Sequence, residues 1–179
     1  MDTVPLRMRA RSVAAADSSP PTLDGFVALH YRRLVRLAGL VCLDRSEAQD
    51  AVQNALLRAW RNQHRLRDPS RMKAWLDAIV VRESIRLNDR RGSWLRRLTR
   101  RGAESVESAT GAPSGAAVDL AIGLRSLPSP QRAVMALHYE AGYTVVEIAQ
   151  LLDVPHETVR SRLRLARQRL RSRLAEDAE

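Results

Sequence analysis

Between Thr144 and Arg167 the chain reads TVVEIAQLLDVPHETVRSRLRLAR, and no other stretch constrains the fold as tightly. Thr144 can cap a helix, and Glu147 three residues on can reach back to the free N–H at the cap: a capping box. Val145, Ile148, Ala149 and Leu152 then recur at helical spacing, so this segment hides one face. Asp153 and Val154 interrupt the run, and Pro155 falls where a next helix would start, a position that tolerates a missing N–H. Two short helices joined by a tight break make a helix-turn-helix, whose second helix enters the DNA major groove. At about 100° per residue, Val159, Leu163, Ala166 and Leu170 line one apolar stripe of that second helix. Arg160, Ser161, Arg164 and Gln168 point away from it, with Arg162 and Arg169 on a flank. Arginine can grip guanine O6 and N7 with two parallel hydrogen bonds, and serine can bond bases or phosphates.

The charge balance points the same way. Of 179 residues, 30 are Lys or Arg against 20 acids, a formal charge of +10, and Lys73 is the only lysine. Such a chain favours polyanions, nucleic acid first and an anionic membrane surface second. The N-terminal stretch has arginines but no apolar h-region, and no run approaches the ~18 apolar residues of a membrane span. The expected location is the cytoplasm. A single cysteine, Cys42, excludes an internal disulfide and any multi-cysteine zinc site, and its apolar neighbours suit a buried thiol.

The spacing predicts an all-α protein of two small helical domains joined by a flexible linker, the second holding the helix-turn-helix. Residues 1–21 read as a disordered extension. A first domain over 22–95 carries three helices. Its first has Leu23, Phe26, Val27, Leu34, Leu37, Ala38 and Val41. Its second opens at a Ser46 cap and carries Ala48, Ala51, Val52, Ala55, Leu56, Ala59 and Trp60. Its third runs from Met72 to about Arg91 with Trp75, Leu76, Ile79, Val80 and Leu87, after a turn at Asp68-Pro69. Gly, Ser, Ala, Thr and Pro dominate 96–117, a linker composition. The second domain spans 118–176 with four helices.

EAQDAVQNALLRAWR (47–61), AWLDAIV (74–80) and LPSPQRAVMALHYEAGYTVVEIAQLLDVPHETVRSRL (127–163) occur in this order. Together they resemble a bacterial RNA polymerase sigma factor of the extracytoplasmic-function type, which keeps only sigma regions 2 and 4. The resemblance implies a first domain that binds the β′ coiled coil of core polymerase and captures the melted −10 strand, and a second that meets the β flap and reads the −35 duplex. It places Asp50, Gln53, Asn54 and Arg58 where the family meets β′. It makes Asn62, His64 and Arg65 candidates for a pocket holding a flipped −10 base, where a loop with no aromatic leaves hydrogen bonding and shape to act. It matches Thr158, Arg160, Ser161, Arg162, Arg164 and Gln168 to −35 contacts, and it implies an anti-sigma partner.

The chain departs from the pattern in places. Arg82 and Arg86 stand where the family usually has Asn and Asp, which suits a phosphate-tracking −10 surface. Glu157 replaces a small residue before Thr158, and Arg164-Leu165 replaces an aromatic followed by a basic residue. The basic cluster Arg90 to Arg101 either tracks the strand, with Trp94 near it, or lets Trp94 pack back on the helix. A stand-alone helix-turn-helix regulator is the competing reading, but the receiver domain such proteins depend on needs strands that this chain lacks. An enzyme is disfavoured: the four histidines are scattered, with no HExxH and no glycine-rich phosphate loop, and neither metal nor cofactor is expected. A lipid-surface protein would leave the capped motif without purpose.

Overall fold

The computed structural model describes residues 22–99 and 122–176, with side chains for 22–91 and 122–173. The extension and nearly all of the linker expected from the sequence lie outside these residues. Helix α1 spans Leu23–Cys42, with Thr22 accepting from the Gly25 N–H at its start. It ends where Leu43 turns left-handed (φ 64°) and donates its N–H to the Gly39 carbonyl. That reversal sets the next helix start two residues earlier than Ser46. Asp44, extended, takes the Glu47 N–H at 2.9 Å, and α2 runs Arg45–Asn62. A carboxylate there also suits the positive end of the helix dipole. Two single 3₁₀ turns, Gln63–Arg65 and Pro69–Arg71, lead into α3, Met72–Thr99, longer than its periodicity suggested. Asp68 closes the second turn on the Ser70 N–H and hydroxyl, bonds that lower its pKa.

Alanine makes this three-helix packing tight. Ala48, Ala51, Ala55 and Ala59 give α2 a flat face against Leu34 and Ala38 of α1 and Leu76 and Val80 of α3, all buried. Trp60, one residue past that face, is 63% exposed and does not join the core.

In the second half, a helical turn at 122–125 precedes α4, Ser129–Met135, which continues as a π-helical turn, Ala136–Glu140. Gly142, at φ 80°, takes the left-handed turn that ends it. Helix α5 covers Val145–Leu152 and α6 His156–Glu176. The capping box is present: the Thr144 N–H donates to Glu147 at 2.7 Å, and Thr144 accepts from the Glu147 N–H. Asp153, left-handed at φ 57°, ends α5. Pro155 sits one residue before α6, its carbonyl taking the Thr158 N–H.

The two halves share a core. Leu37 and Val41 of α1 and Val81 of α3 are buried in one cluster with Val134, Leu137, Ile148, Val159 and Leu163. A polar seam surrounds it. Arg132, 6% exposed, donates to the carbonyls of Val41 (2.7 Å) and Leu127 (2.5 Å) and to Asn88 Oδ1 (3.0 Å). Buried Asp77 accepts from Arg33 at 2.6 and 2.9 Å, from Lys73 at 3.3 Å and from the Tyr143 hydroxyl at 2.9 Å. Burial and the Asp77 charge push the Tyr143 pKa well up, so its proton stays to make that bond.

Candidate nucleic-acid interface

Helix α6 owes its orientation to the stripe it buries. Val159, Leu163, Ala166 and Leu170 are 0–8% exposed, and Ile148 of α5 packs beside the first two. Burying the valine, leucine and isoleucine side chains contributes about 1.5–3 kcal/mol each, enough to hold the two helices of the motif at a fixed angle. Arg160, Ser161, Arg164 and Gln168 consequently stand exposed on the opposite side, while Thr158 and Arg162 are half-buried on the flanks. Arg160 reaches Glu157 at 3.3 Å, and Glu157 also meets His156 Nε2 at 2.9 Å.

The first half holds a cleft of about 320 Å³ between the end of α2 and α3, lined by Arg58, Asn62, Arg65, Trp75, Ile79, Arg82 and Glu83. Sequence reasoning named four of these residues and missed two that shape the site. Trp75 supplies the aromatic wall absent from the loop. Glu83, 1% exposed, pairs with Arg58 Nε at 2.9 Å and with Arg86 at 2.5 Å. Arg86 is therefore drawn onto α3 and Arg58 toward the cleft, away from Asp50 and Gln53. Arg82 donates to the Leu151 carbonyl at 2.7 Å, at the negative end of α5. His64 is exposed beside the cleft without lining it. The only signal for the missing pair was the helical register of α3.

On the other side of α2, Asp50 and Gln53 are exposed and Asn54 is half-buried. The same face continues into Leu57 and Trp60, which with Leu23, Val27, Ala28 and Leu56 line an apolar groove of about 590 Å³. Of the basic cluster, Arg91 bonds Glu47, while the side chains of Trp94 and its neighbours lie outside the described residues.

Fold and surfaces together define an all-helical protein with a helix-turn-helix, one helix of which exposes arginines, and with an aromatic-walled, arginine-lined cleft in its first half. Residues 26–101 match the family model for sigma-70 region 2, and residues 123–172 the model for sigma-70 region 4. The ECF RNA polymerase sigma factor SigL of Mycobacterium tuberculosis is 32% identical over 176 residues, covering 94% of this chain and 96% of its own. SigM of the same organism is 35% identical over 146 residues, covering 79% and 71%. The Bartonella quintana sigma factor RpoE, solved in complex with the anti-sigma factor NepR, superposes with a TM-score of 0.68 at 26% identity over 85% of this chain and 96% of that one. CnrH, solved with the cytosolic domain of CnrY, has the same fold, with a TM-score of 0.61 at 24% identity over 87% and 88%. The chain belongs to the extracytoplasmic-function family of RNA polymerase sigma factors, which direct promoter-specific transcription initiation.

Proposed function

We propose that the exposed face of α6 reads the −35 duplex and the Trp75-walled cleft receives a −10 base. Arg160, Arg164 and Ser161 supply base-edge and phosphate donors, with Thr158, Arg162 and Gln168 at the margins. In the cleft, Trp75 offers a stacking surface, Asn62 and Arg65 hydrogen bonds, and Arg82 a phosphate contact, with His64 and Arg86 near the strand's path. Asp50, Gln53 and Asn54 meet the β′ coiled coil of core polymerase, with Leu57 and Trp60 as apolar anchors beside them and Arg58 at the border with the cleft. The β flap engages the second half. The protein carries no chemistry of its own. It works in the cytoplasm, and among the described residues no helix is long and apolar enough to cross a membrane. The RpoE relative was solved in complex with the anti-sigma factor NepR, which supports a partner of that class here.

The observation that carries this reading is that the chain's two matched regions each present arginines on a surface of the right form, a groove-sized helix in one and an aromatic-walled cleft in the other. The test is binding to core bacterial polymerase followed by run-off transcription from a promoter library. Initiation from a shared −35/−10 pair is the expected result. Duplex binding with no affinity for core would refute it and favour a stand-alone regulator.

A further inference from the structure

Glu157 is the only acidic residue of α6 between positions 156 and 173. It lies one turn ahead of Arg160 and Ser161, on the exposed face they share with Arg164, and is itself 67% exposed. The N-terminal residues of a recognition helix are those that reach base edges. Beyond its pairs with His156 and Arg160 and its place in the first turn of the helix, an acid there meets DNA in one of two ways: it repels phosphates or it accepts a hydrogen bond from a base, because a carboxylate is an acceptor only.

The geometry favours a base. In the major groove the donors are the amino groups of cytosine and adenine. Adenine presents its own N7 acceptor beside that amino group, which repels a carboxylate. Cytosine presents N4 beside the O6 of its paired guanine, so a reader of that pair needs an acceptor and a donor side by side. Glu157 Oε1 and Arg160 Nη1 are such a couple, 3.3 Å apart, close to the spacing of about 2.9 Å between hydrogen-bonded partners such as N4 and O6. We propose that Glu157 is a specificity residue. It accepts from the cytosine of one C·G pair in the −35 element, while Arg160, held beside it, donates to that pair's guanine. This rests on α6 being the −35 reader.

The test uses the full-length chain assembled with core polymerase and a promoter randomised in the upstream element, with bound duplexes sequenced. Wild type is expected to enrich C·G at one position by about tenfold or more over the other pairs. Glu157→Gln is expected to lose that preference and shift it toward A·T, because an amide pairs with adenine N6 and N7. Arg160→Ala is expected to flatten the same position. Both sites are exposed, and thermal melts of the free variants check that folding is intact. If Glu157→Gln leaves base composition unchanged, or tightens every sequence alike with a steeper salt dependence, the carboxylate merely repels phosphates and the proposal falls. If wild type selects no upstream motif at all, the −35 assignment of α6 fails with it.

Discussion

Arg132→Met gives the most direct measure of the contact between the two halves. The guanidinium bonds the Val41 and Leu127 carbonyls and Asn88 Oδ1 at 2.5–3.0 Å, and is 6% exposed. The Val41 carbonyl keeps a second donor, Asn88 Nδ2 at 3.2 Å, so two acceptors bear the loss. Charged hydrogen bonds of this kind contribute about 1.5–3 kcal/mol each. Against that, burial already disfavours the charge, as its lowered pKa shows, and methionine recovers part of that desolvation while filling the space. The expected net loss is about 2–4 kcal/mol. With a urea slope of about 2 kcal/mol/M, the midpoint falls by about 1–2 M. Urea unfolding followed by far-ultraviolet circular dichroism reads this directly. A shift under about 0.3 M at an unchanged slope would mean that water, not α1 and α3, surrounds Arg132, and the packing argument would be refuted.

Trp60→Ala should change stability by less than about 0.5 kcal/mol, since the ring is largely exposed, yet weaken core polymerase binding by about 2 kcal/mol as an aromatic anchor; comparing melts with a core-binding titration separates the two. The Cys42 thiol, pushed up to about 11 by burial, should react with an aromatic disulfide reagent at least about a hundredfold more slowly in the native protein than in urea; equal rates would contradict its burial. Bonds from the Thr144 N–H and hydroxyl hold Glu147 below its ordinary value of 4.5. A depressed carboxylate stabilises the fold above its unfolded pKa and loses that contribution as pH falls through the folded one. The advantage of wild type over Glu147→Ala should therefore be full at neutral pH and shrink below pH 4.5, as melts across that range would register.

The helix-turn-helix was legible because its signals are local: the Thr144–Glu147 box, the apolar spacing and the Pro155 break lie within a dozen residues. The start of α2 was less so. Ser46 and Asp44 are both capping residue types, and only the left-handed turn at Leu43 decides for Asp44. Trp60 follows Ala59 in a pattern that reads as core, but along that groove α1 offers only Leu23, Asp24, Val27 and Ala28, too little to cover an indole. Trp75 and Glu83 become site residues through the adjacency of α2 and α3, which no spacing within either helix encodes. The seam was the least visible feature: Arg132 meets Val41 from 91 positions away and Tyr143 meets Asp77 from 66. Those residues look like ordinary surface polar groups until the halves are brought together.

The bond from Arg82 to the Leu151 carbonyl has a consequence measured along DNA. The two promoter elements lie about 25 base pairs apart, roughly 85 Å of duplex at 3.4 Å per pair. The described residues, 22–99 and 122–176, folded as one body are only about 35–40 Å across. Shut along its seam, the body spans about half that distance. On the reading proposed above, engaging both elements at once requires the halves to part, and Arg82 would then exchange the Leu151 carbonyl for a phosphate of similar acceptor character. The buried Asp77 retains Arg33 and Lys73 on its own side when Tyr143 leaves, so parting does not leave that carboxylate alone. The fraction of molecules already parted scales the affinity of the free chain for a full promoter, and the strength of a few hydrogen bonds far from DNA sets that fraction.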